Sequence, residues 1–421
     1  MDEFLTYLVG GILDFEFYYP LFMAYLWMVG ALYYYAHWEL VAGRRIDQPP
    51  RLESYPGVTF LVPCHNEGEN VEETIDYLAR QQYPDFEIIA IDDGSQDDTG
   101  EILDRLAEQH QRLRVIHLAS NQGKAMALRM GAMASNHEFL ICVDGDALLD
   151  PHATPWIMQH FIKGPRVGAV TGNPRVRTRS TLLGKIQVGE FSAIIGMIKR
   201  AQRIYGRVFT VSGVVSAFRK SALHNVGYWN LDMITDDIDI SWNLQLNHWD
   251  IRFEPNALCW ILMPETLRGL WRQRLRWAQG GMEVFLKYLP EARHWRKRRM
   301  WMVYLEYLTS VVWAYLMVAT ILLFILGLFI ALPQFLRVQT LLPAWSGVVL
   351  GITCMLQFAV ALLIDSRFER GMGRVYYWMI WYPVVYWLLN VLTAVVAAPR
   401  AIRKRRGTRA TWVSPDRGLR P

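Results

Sequence analysis

Residues 139–146, FLICVDGD, hold the pattern that decides the fold of this chain. Five consecutive apolar residues open the stretch, which is typical of a strand buried on both faces of a parallel sheet. The polar run Asp144-Gly145-Asp146 then ends the strand at a turn. A buried strand followed at once by carboxylates predicts that a polar site begins where the strand stops.

The same pattern of strand and polar turn occurs upstream, with helical spacing between the strands. The predicted strands are Val58–Pro63, Phe86–Ile91 and residues 113–118, and the predicted helices are residues 71–82, 98–110 and a stretch from Lys124 to residue 134. This alternation predicts an α/β domain, a mostly parallel sheet with helices on both faces. We place this domain at residues 51–264.

Polar clusters follow the predicted strands. They are PCHNE at 63–67, DDGS at 92–95, NQGK at 121–124 and DGD at 144–146. Because parallel sheets bind ligands at the carboxyl ends of their strands, we expect these clusters to form one site. The chain has no GxGxxG or GxxxxGK[ST] fingerprint, which argues against dinucleotide and P-loop sites.

Three of the polar residues have specific chemical interpretations. Asp144 and Asp146 can both turn toward one cation, and oxygen ligands suit Mg²⁺ or Mn²⁺. A turn or helix cap explains most isolated DxD pairs, but the position at a strand end favours the cation. Lys124 follows a glycine at a helix start and is suited to phosphate, although a solvated surface lysine would have the same sequence.

Thr235-Asp236-Asp237 precedes a predicted helix and has two interpretations. Thr235 as the N-cap with acidic residues in the first turn would stabilise the helix without any function. Alternatively, a carboxylate here is a general base that takes a proton from an attacking hydroxyl.

Residues 265–300 are predicted to form amphipathic helices at a membrane interface, since about 266–288 are rich in leucine, tryptophan and arginine. This stretch contains Gln273, Arg276 and Trp277. Arg276 could bind phosphate and Trp277 could stack on a sugar ring. Interfacial anchoring alone would also explain these residue types.

Long apolar runs lie on both sides of the α/β domain. They are residues 17–42, 303–331, 345–364 and 376–398, the last three forming a C-terminal block at 303–398. Each has about 20 residues or more, enough to cross a lipid bilayer as a helix. Residues 1–16 are interrupted by Asp14 and Glu16 and are expected to be an interfacial or re-entrant segment.

Net charge and cysteine content narrow the class of protein further. The 421 residues carry a net charge of +5 and only four cysteines, which excludes a disulfide scaffold. Most of the basic excess flanks the apolar runs, so no nucleic-acid partner is needed. Arginines before residue 52 and at 293–299 predict that the α/β domain is cytoplasmic.

The basic tail at residues 399–421 conflicts with this orientation. Three C-terminal crossings would place it outside the cell, against its charge. Either one late segment does not fully span, or the tail is external. Pro383 makes the last segment the irregular one if a segment fails to span.

Five motifs in this order resemble those of the processive inverting family 2 glycosyltransferases, which include cellulose, chitin and hyaluronan synthases. They are Pro63-Cys64-His65-Asn66-Glu67, Asp92-Asp93, Asp144 with Asp146, Thr235-Asp236-Asp237, and Gln273 with Arg276 and Trp277. The chain departs from that family's usual Thr-Glu-Asp only at Asp236. Residues 170–190, 202–219, 232–242, 259–281 and 412–418 are similar to the poly-β-1,6-N-acetylglucosamine synthases of bacterial biofilms.

The resemblance implies a GT-A fold and synthesis of β-1,6-linked polymer from UDP-N-acetylglucosamine at the bacterial inner membrane. It implies donor contacts from Glu67, Asp93, Lys124, Asp144 and Asp146, with Asp146 on the cation. It implies that Asp237 is the base. It also implies contacts to diphosphate or the growing chain from the following residues: Asn173, Arg175, Asp236, Gln273, Arg276 and Trp277.

The resemblance further implies a small membrane partner subunit (PgaD-like) and activation by cyclic di-GMP. Three alternatives remain open from the residues. The chain could make chitin, hyaluronan or cellulose with the same machinery, or transfer single sugars to a lipid. It could also be a membrane transporter with a cytoplasmic regulatory domain, although four apolar runs are few for a transporter.

Overall fold

The computed structural model describes residues 2–40, 46–338, 344–404 and 407–411. Its centre is an eight-stranded sheet in the order β3-β2-β1-β4-β7-β6-β8-β5. The strands are β1 (Val58–Cys64), β2 (Phe86–Asp92), β3 (Leu113–His117), β4 (Phe139–Val143), β5 (Leu148–Leu149), β6 (Val167–Val176), β7 (Val215–Arg219) and β8 (Asp250–Ile261).

Helices cover the sheet and extend from it. They are α1 (Asp2–Tyr34), α2 (Val71–Ala79), α3 (Thr99–Gln109), α4 (Lys124–Ala134), α5 (Ala153–Lys163), α6 (Leu182–Phe191), α7 (Lys199–Tyr205), α8 (Lys220–Val226), α9 (Asp236–Leu246), α10 (Leu267–Tyr288), α11 (Trp301–Gly327), α12 (Ala344–Asp365), α13 (Met372–Tyr376) and α14 (Trp387–Arg403). Short π-helical turns lie at Tyr35–Leu40, Ser192–Ile198 and Tyr382–Tyr386, and 3-10 turns at Leu289–Arg293, Trp295–Met300, Gln334–Leu336 and Tyr377–Ile380.

The predicted α/β fold is confirmed in the first half of the sheet. The strands β1, β2, β3 and β4 pair in parallel, and β7 is antiparallel to both β4 and β6. Successive residues of β1 face opposite sides, so Phe60 and Val62 join one buried cluster and Leu61 the other. Because both faces are covered, all seven residues of β1 are buried, and the polar groups gather at the strand ends.

Three helical segments of the described chain are long and apolar enough to cross a membrane. They are Trp295–Gly327, Ser346–Asp365 and Tyr382–Arg403. The predicted span at 17–42 is not among them, because its many tyrosines lower the hydropathy, and it stays a prediction. Residues 2–34 form one continuous helix with no break at residue 16, where we separated two segments.

Helix α1 packs beside α11 and α12. Trp313 Nε1 donates a hydrogen bond to the carbonyl of Glu16 at 2.9 Å, and Thr320 Oγ1 donates to the Glu16 carboxyl at 2.7 Å. Helix α11 leaves the α/β domain, and α12 returns to it at Asp365, which bonds Arg200 of α7.

The last apolar segment lies along the α/β domain, and its backbone is irregular around Pro383 as predicted. Met379 is fully buried, and Tyr386 donates to Glu190 of α6 at 3.0 Å. At the other end, Ala398 and Ala401 pack in one cluster with residues of α9 and α10. Both ends of the segment therefore contact the same domain.

The described part of the tail remains on that side. Lys404 Nζ donates to Glu283 of α10 at 2.8 Å, and Ala410 N donates to the carbonyl of Leu231 at 3.0 Å. The described part of the tail thus contacts the α/β domain, and the side of the membrane on which it lies stays a prediction. Arg405, Arg406 and residues 412–421 lie outside the described residues.

Candidate active site

The DGD loop is held tightly against the end of β1. Thr74 Oγ1 donates a hydrogen bond to the carbonyl of Gly145 at 2.9 Å. A Cβ atom at position 145 would lie only 3.1 Å from Cys64 Sγ, so a glycine allows this close approach. The loop thereby places Asp144 and Asp146 at the carboxyl edge of the sheet.

Lys124 at the start of α4 is the central cation of the site. Its Nζ donates to the Asp144 carboxylate and, at 2.9 Å, to the carbonyl of Gly213. Burial alone would lower the pKa of Lys124, but the negative charges of Asp144 and Asp236 raise it. The lysine therefore keeps its charge at neutral pH beside the carboxylates.

The site contains more buried negative charge than Lys124 can balance. Burial raises the pKa of Asp146 to about 7, with a further contribution from Asp144. Burial likewise raises the pKa of Asp236 to about 6. A carboxylate surplus of this kind favours a divalent cation. Among the described residues no group of three or more His, Cys, Asp or Glu forms a complete metal site, so oxygens of a bound substrate would have to complete it.

The predicted nucleotide-site residue Asp93 is fully buried under the 121–124 loop. Its carboxylate accepts hydrogen bonds from the backbone N–H groups of Gln122 and Gly123, both at 2.7 Å. Burial raises the pKa of Asp93, and these bonds oppose the rise. Gly123 has φ +88°, a conformation that favours glycine. Asp93 therefore holds the loop that presents Lys124.

The other predicted clusters converge on the same edge. The ring nitrogens of His65 lie 2.9 Å from the carbonyl of Asp93 and 3.0 Å from Asn121 Nδ2. Glu67 is buried, and its N–H donates to Thr99 Oγ1 at 2.7 Å. The PCHNE, DDGS and NQGK loops thus form one connected rim.

Asp237 lies in the first turn of α9 and faces the same space. Its Oδ1 accepts a hydrogen bond from the N–H of Ile238 at 2.9 Å. A Cβ at Gly213, whose carbonyl binds Lys124, would lie 3.1 Å from Asp237 Oδ2. Burial raises the pKa of Asp237, while Lys124 and Arg276 oppose the rise. A half-buried carboxylate with a raised pKa can act as a base.

Thr235 does not cap this helix. Its side chain makes no cap hydrogen bond, and its Oγ1 is buried without a hydrogen-bond partner in the described chain. It packs against α10, where a Cβ at Gly280 would collide with it. Thr235 thus occupies the N-cap position without a side-chain cap bond, and Asp236 and Asp237 lie in the first turn as the capping interpretation predicts.

Helix α10 contains Gln273, Arg276 and Trp277, and its Gly280 packs against Thr235, which directly precedes Asp236 and Asp237. Gln273 is buried, and its Oε1 has no hydrogen-bond partner among the described residues. Arg276 is exposed but close enough to influence Asp237. Trp277 is half-buried, with the Arg274 guanidinium 4.4 Å from its ring centroid. The exposed part of the ring is available for stacking.

The structure does not bring Asn173 and Arg175 into this group. Asn173 is buried and donates to the carbonyl of Pro255 at 2.9 Å. Arg175 is buried and bonds Asp365 at 2.5 Å and Ser192 at 3.3 Å. Their polar groups serve the junction with the C-terminal helices. Their predicted contact with the growing chain stays a prediction.

Lys199 of α7 is a residue that we did not predict. Its Nζ donates to Thr171 Oγ1 at 3.0 Å, and that oxygen also accepts from Ser212 N at 2.8 Å. Burial lowers the pKa of Lys199 to about 7, and Asp237 opposes the change. Its only signal in the sequence is a basic residue after the apolar run 193–198, which is usual at helix ends.

Comparison with known proteins identifies the family. The model of the family described as glycosyltransferase like family 2 matches residues 56–280. A poly-β-1,6-N-acetyl-D-glucosamine synthase of Staphylococcus epidermidis is 40% identical over 97% of this chain and 98% of its own. An enzyme of that name from Staphylococcus aureus (strain COL) is 40% identical over 96% of this chain and 98% of its own.

A solved structure supports the fold. The mannosyltransferase of Pyrobaculum calidifontis, in complex with GDP-Man and Mn²⁺, is 19% identical and has a TM-score of 0.60. It covers 95% of this chain and 99% of its own, so the GT-A arrangement extends through the whole match. With the family model and the full-length relatives, these findings show that the chain belongs to glycosyltransferase family 2.

Proposed function

We propose that this chain is a membrane-embedded, processive, inverting glycosyltransferase that polymerises N-acetylglucosamine from UDP-N-acetylglucosamine into a β-1,6-linked exopolysaccharide. The observation that carries the proposal is the 40% identity to enzymes named poly-β-1,6-N-acetyl-D-glucosamine synthase, which covers 97% of this chain. Because the match includes both the α/β domain and the apolar helices, it supports a proposal for the whole chain.

The donor lies, in this proposal, along the rim formed by the strand ends. Glu67 and Asp93 border the uridine, and Asp144 binds the ribose side. Lys124 stands between Asp144 and Gly213 and binds the diphosphate. Its charge opposes the negative charge that develops on UDP as the glycosidic bond breaks.

The residues present fit a divalent cation. Asp146 supplies a half-buried carboxylate in a site with surplus negative charge. The two carboxylates on either side of Gly145 are oxygen donors of the kind that Mg²⁺ and Mn²⁺ prefer. When bound, such a cation would stabilise charge on the diphosphate leaving group. We propose Asp146 as its protein ligand.

Asp237 is the proposed base. It takes the proton from the 6-hydroxyl of the growing chain while the oxygen attacks the anomeric carbon and UDP leaves. One displacement converts the α-linked donor to a β-linked product without a covalent intermediate. Asp236, Gln273 and Arg276 orient acceptor and diphosphate, and Trp277 stacks on an acceptor ring.

We further propose a multi-pass position in a bacterial inner membrane, with the α/β domain in the cytoplasm. The three apolar helical segments and the basic flanks support it. The same helices would provide a path by which the polymer leaves. Polymer found only inside sealed inverted vesicles would support this; polymer released only on the synthase side would oppose it.

Regulation is proposed to involve a small membrane partner subunit and cyclic di-GMP. The basic run RKRRGTR at 403–409 motivates a role of these cations in control by that dinucleotide. Stimulation by cyclic di-GMP that is unchanged after neutralisation of Arg403–Arg406 would contradict the proposed role of these cations.

Product analysis tests the main proposal. The full-length chain, in membranes that also contain its proposed partner, is given labelled UDP-N-acetylglucosamine, UDP-glucose or UDP-glucuronate in separate reactions. We expect polymer from the first donor alone, degraded by a β-1,6-N-acetylglucosaminidase and resistant to chitinase and hyaluronidase. A chitinase-sensitive product, or polymer from another donor, would instead assign one of the sister synthase activities.

A further inference from the structure

A polar cavity of about 300 Å³ lies where the end of α1 meets α5 and β8. None of the residues proposed for catalysis lines it. Aromatic and charged side chains from α1, the Tyr35–Leu40 turn, α5 and β8 make up much of its wall: Tyr34, Trp38, Trp156, Lys163, Arg252 and Glu254. The cavity therefore sits at the junction between the α/β domain and the N-terminal helix.

The first carboxylate of the wall, Glu39, is already bound. Its Oε1 accepts from Arg200 Nε at 2.6 Å. Its Oε2 accepts from Arg200 at 3.1 Å and from Arg367 at 2.9 Å. Two guanidinium groups thus neutralise Glu39, and its charge is not available to a cation in the cavity.

The second carboxylate of the wall, Glu254, has hydrogen-bond partners at both of its oxygens. Its Oε2 accepts from Gln159 Nε2 at 2.9 Å and lies 2.9 Å from His160 Nε2. Its Oε1 accepts from the N–H and the side-chain amide of Asn256 at 2.9 and 2.7 Å. The wall therefore holds two carboxylates, Glu39 and Glu254, against three side chains that are cations at neutral pH, Lys163, Arg252 and Arg367.

Two cations of the wall have no such partner. Among the described residues, no carboxylate lies within ion-pair distance of Arg252 or Lys163, and Arg252 Nε is buried without a hydrogen bond. Burial is the largest cause that lowers the pKa of the nearby Arg203, and the positive charge of Arg252 is the second. Positive charge is therefore in excess around the cavity, which favours an anion.

The aromatic side chains of the wall narrow the class of anion that suits the cavity. Tyr34 and Trp156 are held by hydrogen bonds to the carbonyls of Phe253 and Ile46, at 3.4 and 3.0 Å. Trp38 is 49% exposed, at the end of α1. Rigid rings beside unpaired cations suit an organic phosphate, whose ester group contacts the rings while its oxygens accept hydrogen bonds.

We propose that this cavity binds a phosphate-bearing anion, with Arg252 and Lys163 as its charge partners. The anion is either the headgroup of an anionic phospholipid or a free phosphate ester, since both present the same oxygens. The site is independent of the proposed polymer chemistry, because it shares no residue with the catalytic group. Binding there would hold the end of α1 against α5.

The test uses four forms of the full-length protein: wild type, Arg252→Gln, Lys163→Gln and the control Arg166→Gln. Arg166 is exposed, close to Lys163 in the chain and absent from the cavity wall, so its variant makes an equal change of charge. Lys163 is exposed at the end of α5, so its variant keeps the test valid if Arg252→Gln fails to fold.

Two measurements separate the sources of the phosphate. In neutral detergent after delipidation, inorganic phosphate is titrated at constant ionic strength and thermal unfolding is followed. In parallel, phosphatidylglycerol that copurifies with each form is quantified by mass spectrometry. Loss of one charged hydrogen bond is expected to weaken binding about tenfold.

Stabilisation by phosphate in the wild type and control, weakened about tenfold in the two cavity variants, would assign a free phosphate ester. Retained phosphatidylglycerol that falls in the cavity variants alone would assign a headgroup. Equal behaviour of all four forms in both measurements would overturn the proposal.

Discussion

At the scale of single residues, the Lys124 ammonium group donates to the Asp144 carboxylate, and both groups interact electrostatically with Asp236. Strand-end position was enough to predict that Asp144, Asp146 and Lys124 meet, because parallel strands place their carboxyl ends at one edge. The pairing of Arg175 with Asp365, which lies 190 residues further along the chain, was not predicted. No local pattern reveals a partner at that separation.

Lys199 provides a prediction on pH dependence. The positive charges of Lys124, Arg276 and Lys199 lower the pKa of Asp237 against the effect of burial. The neighbouring carboxylate of Asp236 acts in the opposite direction. Removing the Lys199 charge in Lys199→Met should raise the pKa of Asp237. Because the base must be deprotonated, the acidic limb of the rate profile should move to higher pH. Initial rates of polymerisation between about pH 5 and 9 measure this.

The conservative variant Lys199→Arg separates electrostatics from packing. It keeps the positive charge, so its acidic limb should stay near that of the wild type even if the overall rate falls. If Lys199→Met slows the reaction equally at every pH, Lys199 serves only the packing of α7 on Thr171.

At the scale of elements, a buried ion cluster ties α1, α7 and α12 to the sheet. Asp365 is fully buried and accepts from Arg175 at 2.5 Å and from Arg200 at 3.2 Å. Arg200 in turn binds Glu39 after α1. The helices themselves were predictable from the length of the apolar runs, but this cluster was not. In the sequence, a charged residue at the edge of an apolar run that faces water cannot be distinguished from one that forms a buried ion pair.

Asp365→Asn should strongly destabilise the protein. It removes the negative charge between two buried guanidinium groups, and breaking a buried pair in this way is expected to lower the free energy of unfolding by about 3–5 kcal/mol. Denaturant unfolding in detergent micelles measures the loss. The control is Glu73→Gln, which breaks the exposed pair with Arg177 at 3.0 Å and should change the value by less than about 1 kcal/mol. Similar small changes in both variants would show that the cluster does not hold the elements together.

At the scale of the whole molecule, apolar length alone predicted three C-terminal segments, and three such segments are present in the described chain. The length of the apolar segments could not predict that the last segment lies along the α/β domain. That arrangement depends on contacts such as Tyr386 with Glu190 and Lys404 with Glu283. In the proposed orientation, these contacts keep the described tail beside the cytoplasmic domain, in agreement with its basic charge.

Cysteine labelling tests this arrangement. Thr408→Cys in the tail and Ser221→Cys in the α/β domain are both exposed positions, whereas Cys64, Cys142 and Cys259 are buried. A membrane-impermeant maleimide should label both new cysteines in inverted vesicles and neither in intact spheroplasts. Labelling of Thr408→Cys from the opposite side to Ser221→Cys would mean that the last segment crosses the membrane.

The central claim is that Asp237 deprotonates the acceptor in a site assembled at the strand ends. The most direct measurement compares Asp237→Asn with the matched control Asp232→Asn, using UDP binding by calorimetry and polymer formation from UDP-N-acetylglucosamine. We predict that Asp237→Asn binds UDP like the wild type and loses polymerisation by about 10²–10⁴-fold, the usual contribution of a general base, while Asp232→Asn keeps both. Near-normal synthesis by Asp237→Asn would contradict the account.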